Sequence, residues 1–251
     1  MKILITGHKG FIGSHLWNYI ENSGVSGIEL DGIDFPDDIG DFKTDKIYDV
    51  VIHLAAFAAL RDSIEDPDKF WENNVVKSQP IFDYCRENNV RLLYASSAGA
   101  HSWWQNPYAI TKKVNEIQAP PDSVGMRFFN VWAENDSRSD MLYRMLQENT
   151  AKYITRHKRD YIHVSDVIAA IVTLIPASFT GHLDIGTGKS IPVIDIAKAM
   201  GRDLPIKEDT IGEPDNLCAD ITELYELGCY PIINIMDHLQ RNEHPQLAAS
   251  F

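Results

Sequence analysis

A glycine-rich turn near the N-terminus constrains the fold of this chain more than any other feature. The motif Gly7-His8-Lys9-Gly10-Phe11-Ile12-Gly13 follows an apolar run at residues 3–6 and opens an amphipathic stretch at residues 12–22. Glycines at these positions permit a tight turn, a close approach of backbone N–H groups to a pyrophosphate, and close packing of the helix on the strand. The unpaired N–H groups at the helix N-terminus favour phosphate. We therefore predict a dinucleotide site with contacts from Gly7, Lys9, Gly10, Phe11, Ile12 and Gly13.

Apolar runs and helical patterns alternate along the chain. Strands are predicted at residues 3–6, 28–33, 50–54, 92–95, 124–128 and 182–185. Helices are predicted at residues 12–22, 68–88, 108–118, 139–149, 165–175 and 193–200. This alternation predicts an α/β fold with a doubly wound parallel sheet of the Rossmann type. Beyond residue 203 the pattern is interrupted by glycine and proline, which indicates a small lobe built on the sheet.

Charge and cysteine usage narrow the range of partners. The 251 residues carry a formal net charge of −13, which argues against nucleic acid and against an anionic membrane surface. The three cysteines form neither a CxxC pair nor a ligand cluster, so we expect no metal site and a reducing compartment. The sequence shows no charged-then-apolar leader and no apolar run long enough to cross a bilayer. We therefore expect a cytoplasmic protein.

Two acidic residues near the end of the second predicted strand bear on the choice of cofactor. Asp31 and Asp34 lie where a carboxylate accepts hydrogen bonds from the adenosine ribose and repels a 2′-phosphate. This favours NAD over NADP. Lys9 in the glycine turn argues the other way, because a basic residue there could reach a 2′-phosphate. The sequence does not decide which aspartate binds the ribose, although Asp34 follows the better strand end.

A tyrosine and a lysine open the helix predicted at residues 108–118. Tyr108 and Lys112 are four residues apart and therefore share one helix face. A nearby ammonium favours the phenolate, so such a tyrosine can act as a general base near neutral pH. Upstream, the strand at residues 92–95 runs into the hydroxyl pair Ser96 and Ser97. Since strand C-termini of a parallel sheet face the ligand crevice, we predict that these groups meet there.

Further motifs follow in an order that resembles a known family. They are His53-Leu54-Ala55-Ala56, Asn73-Asn74-Val75, Arg127-Phe128-Phe129-Asn130-Val131, the run from Arg159 to Asp166, and the run from Asp184 to Gly188. With the glycine turn and the Tyr-xxx-Lys pair, the chain resembles an extended short-chain dehydrogenase/reductase of the nucleotide-sugar epimerase/dehydratase group. The resemblance implies one unit over residues 1–251. Its NAD-binding core would comprise mainly residues 1–130 and 155–188, and its substrate lobe residues 131–154 and 189–251.

The resemblance also implies a role for each matching residue. Tyr108 would remove the proton of a sugar hydroxyl, and Lys112 would tune Tyr108 and bind the nicotinamide ribose. Ser97, with Ser96 as its competitor, would hydrogen-bond the reacting sugar oxygen. Substrate contacts would come from Asn130 and from Arg159, which would pair with the diphosphate. Further cofactor contacts would come from Leu54, Ala55, Ala56 and Asn74.

Departures from the family pattern bear on the reaction. The dehydratases of this group carry an acidic pair after the strand-end hydroxyl, whereas Ala98-Gly99 stand here. We therefore expect a nucleotide-sugar 4-epimerase acting on UDP-glucose and UDP-galactose. The alternatives are a keto-sugar reductase similar to dTDP-4-dehydrorhamnose reductase or GDP-fucose synthase, and a non-catalytic dinucleotide-binding protein. A second arginine of the family has no equivalent, because Thr210-Ile211 occupy its place.

The resemblance further implies a possible homodimer. Family members pair through two helices of each subunit, which here would be the predicted helices at residues 68–88 and 108–118. The first offers Val75, Val76, Ile81, Phe82 and Cys85, while the second is short and rather polar. We therefore expect an interface smaller than is usual for the family.

Overall fold

The central sheet consists of six parallel strands in the described part of the chain. The structure, a computed structural model, describes residues 1–34, 37–134, 138, 141–208 and 210–243. Its strands are β1 (Lys2–Thr6), β2 (Glu29–Ile33), β3 (Val50–His53), β4 (Arg91–Ser97), β5 (Ser123–Phe128), β6 (Asn130–Trp132), β7 (Lys158–His163), β8 (Gly181–Ile185) and β9 (Ser190–Pro192). The order in the central sheet is β2-β1-β3-β4-β5-β8.

Helices cover both faces of this sheet. They are α1 (Phe11–Asn22), α2 (Leu60–Glu65), α3 (Pro67–Trp71), α4 (Gln79–Asn88), α5 (Pro107–Gln118), α6 (Leu142–Gln147), α7 (Val164–Leu174), α8 (Val193–Ala199), α9 (Thr222–Glu226) and α10 (Ile235–Glu243). Alternate residues of β1 pack against helices on opposite faces of the sheet. Ile3 and Ile5 pack in one cluster with α1 and α7, whereas Leu4 packs in another with α4. Burial on both faces explains why the strands are continuously apolar.

The strand order creates a crevice at the C-terminal ends of β1 and β3. The chain passes from β1 to β2 on one side, and then crosses to β3 on the other side of β1. In doubly wound sheets, ligands bind where the direction of winding reverses in this way. The predicted doubly wound parallel sheet is therefore confirmed, and each of the six predicted strands corresponds to a strand of it.

In the described part of the chain, the sheet has fewer strands at one edge than the common doubly wound order, in which a further strand lies beyond the equivalent of β2. Here β2 is the outer strand among the described residues, and the connection to β3 contains a short 3₁₀ turn, Ile39–Asp41. Asp31 of β2 accepts hydrogen bonds from Lys46 Nζ and Tyr48 Oη, both at 2.8 Å. Side chains of this connection thus reach back to the edge strand.

The prediction of one continuous helix at residues 68–88 is wrong. The structure divides it into α3, a π-helical turn at Glu72–Val76, and α4. The N–H of Lys77 donates to the carbonyl of Glu72, five residues back, and Pro80 then occupies the first turn of α4. Because proline lacks an N–H and is favoured in a first turn, the helix restarts there.

A second, smaller sheet was not predicted. In it β6 pairs parallel to β7, and β7 pairs antiparallel to β9. A separate apolar cluster lies beside this sheet, and most of its members come from the two segments predicted to form the lobe. Its fully buried members include Trp132, Leu146 and Ile196. Of the helix predicted at residues 139–149 the structure contains α6, and residues 139 and 140 lie outside the described part.

Throughout the described ranges, every helix is too short or too polar to traverse a lipid bilayer.

Candidate active site

A cavity of about 1070 Å³ opens at the C-terminal ends of the central strands. It extends from the glycine turn, past Ser97 and Tyr108, to Arg159 on β7. Among the residues that the structure describes, six basic side chains line it and two acidic ones, Asp62 and Glu213. The basic ones are Arg61, Lys69, Lys112, Arg138, Lys152 and Arg159. Although the chain as a whole is strongly acidic, this cavity has the charge that an anionic ligand requires.

The glycine turn has the geometry of a phosphate cradle. Gly7 adopts a φ of +73°, and a Cβ there would lie 2.7 Å from the backbone nitrogen of Ala55. A Cβ on Gly13 would lie 2.1 Å from the carbonyl oxygen of Gly7. Gly10 precedes α1 without a side-chain cap, and the first turn of α1 carries no acidic residue. The first N–H groups of α1 are therefore available to an anion in the cavity, so these residues fit the pyrophosphate of a dinucleotide.

The structure separates the two candidate ribose carboxylates. Asp34 directly follows β2, and its Oδ2 accepts a hydrogen bond of 2.7 Å from the backbone nitrogen of Lys9 in the glycine turn. Gly32 faces this turn, because a Cβ on it would lie 2.6 Å from His8 Nδ1. Since side chains alternate along a strand, Asp31 faces the opposite way, where Lys46 and Tyr48 bind it. This geometry favours Asp34 over Asp31 as the ribose ligand.

The loop after β3 forms one wall of the cavity. Leu54 and Ala56 line it, while the nitrogen of Ala55 donates to Thr6 Oγ1 at 3.3 Å. Asn74, which the resemblance implies as a cofactor contact, is fully buried and does not line the cavity. Its carboxamide instead bonds the backbone N–H and carbonyl of Phe57 at 2.8 and 2.9 Å. Asn74 therefore holds the loop that forms this wall of the cavity rather than lining the cavity itself.

The two serines at the end of β4 have different environments. Ser96 is 2% exposed, and its hydroxyl donates to Glu116 Oε1 at 2.7 Å. Both serines line the cavity, but Ser97 is only half-buried, and its Oγ accepts a hydrogen bond from the backbone nitrogen of Gly99 at 3.1 Å. The hydroxyl proton of Ser96 is thus committed to a buried carboxylate. Ser97 is the serine that suits a ligand in the cavity.

Helix α5 places Tyr108 and Lys112 beside this strand end. The helix begins sharply, because Asn106 Oδ1 caps the nitrogen of Ala109 at 2.8 Å and Pro107 occupies the first position. Lys112 is 3% exposed, its Nζ donates to the carbonyl of Ala95 at 2.8 Å, and it lies 5.9 Å from the centroid of the Tyr108 ring. Burial, with a smaller effect of Arg138, lowers the pKa of Lys112 to about 7.

Sequence reasoning missed Glu116, one turn beyond Lys112 on α5. Arg127 binds its carboxylate through two N–H···O contacts of 2.7 and 2.9 Å, and Ser96 adds a third bond. Although burial opposes ionisation, the bonds from Arg127 and Ser96 lower the pKa of Glu116 to about 2. This ionised cluster ties α5 to β4 and β5, and thereby fixes Tyr108 relative to Ser97. The four-residue spacing after Lys112 was the signal that could have revealed it.

Both predicted substrate residues line the cavity. Asn130 of β6 lines it and is paired in register with Tyr161 of β7. Arg159 also lines it, but is only 7% exposed. Its guanidinium donates to the carbonyls of Lys158 and Pro214 and contacts Glu213 Oε2 at 3.2 Å. Arg159 therefore lies in the cavity wall, and both of its terminal nitrogens already bond within the chain.

A large pocket at the strand ends of a doubly wound sheet is typical of enzymes that hold a dinucleotide against a second ligand. Comparison with known proteins agrees. The chain belongs to the NAD dependent epimerase/dehydratase family, whose pattern matches residues 3–186. The family resemblance is thereby confirmed, and so is NAD as the cofactor of the family.

Individual relatives extend over most of the chain. Protein CapI of Staphylococcus aureus is 30% identical, and the match covers 71% of each chain. UDP-glucose 4-epimerase of Pisum sativum is 24% identical, with 89% of this chain and 87% of the relative covered. The solved structure of MoeE5 in complex with UDP-glucose and NAD matches with a TM-score of 0.83 at 24% identity, over the full length of both chains. This likeness confirms the fold.

Proposed function

We propose that the chain is an NAD-dependent 4-epimerase of a UDP-sugar, with UDP-glucose and UDP-galactose as its first candidate pair. The observation that carries this proposal is the end of β4. Ser97 lines the cavity beside Tyr108, and the next residues, Ala98 and Gly99, offer no carboxyl group to expel water from the sugar. The similarity to a UDP-glucose 4-epimerase supports the same choice.

In this proposal each catalytic side chain has one task. Tyr108 takes the proton of the sugar hydroxyl and later returns it, while Ser97 hydrogen-bonds the same oxygen. Protonated Lys112 favours the phenolate of Tyr108 and would also hold the nicotinamide ribose. The glycine turn and Asp34 would hold NAD, which when bound would accept a hydride from the sugar carbon and later return it. Between the two hydride transfers the keto-sugar must turn over, so that its opposite face meets the nicotinamide. The large cavity leaves room for this rotation.

The proposal is tested with purified protein and UDP-glucose. We expect UDP-galactose to form, as measured by nuclear magnetic resonance, without net formation of NADH. Failure to interconvert the two sugars, together with retained binding of UDP-glucose, would contradict the proposal.

A keto-sugar reductase remains the second candidate, because the connection between β2 and β3 is compressed and Lys9 stands in the glycine turn. Stoichiometric consumption of NADPH with a nucleotide keto-sugar would establish that activity.

Cofactor choice gives a direct prediction. We expect NAD to bind more tightly than NADP, because the Asp34 carboxylate would repel a 2′-phosphate. Asp34→Asn should narrow this difference, since it removes the charge and keeps the shape. Asp31→Asn is the matched control and should leave the ratio unchanged, because Asp31 binds Lys46 and Tyr48. Calorimetric titration with both dinucleotides measures the ratio. NADP binding as tight as NAD in the unsubstituted chain would favour the reductase.

We further propose a homodimer with a small interface. Most apolar residues predicted for it are buried within the chain itself, namely Val75, Ile81, Phe82 and Cys85. Val76 and, on α5, Ile117 remain 44% and 74% exposed and would form its centre. Light scattering at micromolar concentration should give twice the chain mass of 28.4 kDa. A mass that stays at the monomer value with NAD present would contradict the dimer.

A further inference from the structure

A short segment of the chain joins the two side chains that the proposed function makes catalytic. This connecting segment, Ala98–Gln105, directly follows Ser97, and Asn106, the cap of α5, then leads to Tyr108 two residues later. The segment consists of 3₁₀ turns interrupted at Ser102, where the backbone has a φ of −127° and a ψ of 50°. Because the segment is attached to both groups, its position affects the distance between them.

His101 holds the middle of the connecting segment. Its Nε2 lies 2.8 and 2.9 Å from the two carboxylate oxygens of Asp184 on β8. Since an ionised carboxylate only accepts hydrogen bonds, Nε2 carries the proton and donates it. Among the residues that the structure describes, His101 is the one side chain of the segment that hydrogen-bonds to another part of the chain. Neither His101 nor Asp184 lines the cavity.

The Asp184 carboxylate is itself fixed by other groups. It is buried, and its Oδ2 accepts a hydrogen bond of 3.2 Å from the backbone nitrogen of Asp220. Its Oδ1 lies 3.8 Å from Nη1 of Arg127, the residue paired with it in register on β5. Arg127 in turn binds Glu116 of α5 through two hydrogen bonds. A line of polar contacts thus leads from the connecting segment across β8 and β5 to the helix that carries Tyr108.

The first turn of the connecting segment packs against the start of α5. Ala98 and Ala100 are buried. A Cβ on Gly99 would lie 3.3 Å from the Cβ of Ala109 and 3.4 Å from Ser97 Oγ. A shift of the segment would therefore disturb Ser97 and the first turn of α5 together.

We propose that His101 is a positioning residue, whose bond to Asp184 fixes the connecting segment. The fixed segment sets the distance between the Ser97 hydroxyl and the Tyr108 phenol, which must reach the same sugar oxygen. The inference rests on the proposed function in so far as these two groups act on one substrate. Misplacement of a reacting group by about 1 Å can lower a rate about a hundredfold. His101 thus controls the rate without touching the substrate.

The test compares His101→Ala with the unsubstituted chain, with UDP-glucose as substrate and NAD bound. The kcat should fall about ten- to a hundredfold, because loss of the bond leaves the two catalytic groups imperfectly placed. The KM for UDP-glucose and the Kd for NAD should change less than about twofold, because His101 lies outside the cavity. The His101 side chain is 44% exposed, so its removal should leave the protein folded, as the melting temperature will show.

Two amide variants form a matched pair that isolates the bond itself. His101→Gln keeps an N–H donor long enough to reach Asp184 and should recover most of the lost turnover. His101→Asn carries the same amide on a side chain that is one methylene shorter, so it should behave like His101→Ala. Trp104→Ala is the control within the connecting segment, because Trp104 is 65% exposed, and it should leave turnover unchanged.

A double substitution tests whether His101 acts through Asp184. Asp184→Ala should lower kcat at least as much as His101→Ala, because Asp184 also contacts Arg127 and the backbone of Asp220. The addition of His101→Ala to Asp184→Ala should lower kcat no further, since each removes the same bond.

Hydrogen–deuterium exchange reports on the connecting segment without any reaction. The backbone amides of residues 98–110 should exchange faster in His101→Ala and His101→Asn than in His101→Gln and the unsubstituted chain. The amides of β1 should exchange equally in all four proteins, because β1 has no contact with His101.

The outcomes separate the positioning role from the proposed function. If exchange follows the expected pattern but UDP-glucose is not epimerised, His101 fixes the segment and the proposed reaction is wrong. If the chain is an epimerase but His101→Ala leaves kcat unchanged, the positioning role is wrong while the epimerase stands. The same holds if kcat, KM, NAD affinity and melting temperature all worsen together, or if His101→Gln is no better than His101→Asn. Unchanged exchange in His101→Ala overturns the positioning role whatever the reaction.

Discussion

Tyr108→Phe is expected to lower epimerase turnover by about a hundred- to ten-thousand-fold, the usual contribution of a general acid–base group. The substitution removes one oxygen and keeps the ring, which packs edge-on against Phe70 at 6.4 Å between centroids. NAD affinity should therefore stay close to that of the unsubstituted chain. Steady-state turnover and calorimetric NAD titration measure the two effects.

The control for Tyr108→Phe is Tyr225→Phe, which removes the same atom from an exposed tyrosine outside the cavity. It should leave turnover unchanged. If Tyr108→Phe kept more than roughly a tenth of the turnover, Tyr108 would not be the proton-transfer group, because the loss would fall below the range for such groups.

Lys112→Met is expected to abolish turnover and yet stabilise the fold. Burial lowers the pKa of Lys112 to about 7, so between pH 7 and its ordinary pKa of about 10.4 the unfolded chain binds a proton that the folded chain does not. The free energy of unfolding therefore rises with pH across this window. Methionine removes the buried charge, and near pH 7 the gain should be about 2–4 kcal/mol after loss of the bond to Ala95.

Urea unfolding of both chains from pH 6 to pH 10, without added NAD, measures this gain. The difference between Lys112→Met and the unsubstituted chain should be largest at pH 7 and below, and should shrink as the pH rises. Lys198→Met, at an exposed position of α8, is the control and should change the free energy of unfolding only slightly. A gap that stayed constant from pH 6 to pH 10 would contradict the prediction, because it would mean that Lys112 is protonated in the folded chain throughout this range.

Local patterns were enough to predict the central sheet and the middle of the candidate site. The glycine turn and the Tyr108–Lys112 spacing depend on neighbouring residues, and the strands are continuous apolar runs, so each can be recognised without knowing the fold. The same reasoning missed β7 and β9, because their pairing joins Arg159 to Ile191 across the helix α7 and the strand β8 and leaves no periodic signal.

Prediction of the candidate site from the sequence was limited mainly by contacts between side chains that lie far apart in the chain. The sequence offers Asn74 as a cofactor contact as readily as Leu54, and it gives no sign of the bonds that join the Asn74 carboxamide to the backbone of Phe57. The contact between Arg159 and Glu213 spans 54 positions and is equally hidden. By contrast, the preference for Asp34 over Asp31 as the ribose ligand follows from the alternation of side chains along a strand. It could have been predicted if the last residue of β2 had been known.

The short edge of the sheet has a consequence for solubility. An outermost strand offers unpaired backbone groups to any other extended chain, and proteins guard against such pairing with short edges and charged side chains. β2 is five residues long, and it carries Glu29, paired with Lys2, and Asp31, paired with Lys46. The Asp31 carboxylate thus helps to keep separate molecules from adding strand to strand. Removal of both acidic groups would make β2 the place where this protein begins to aggregate.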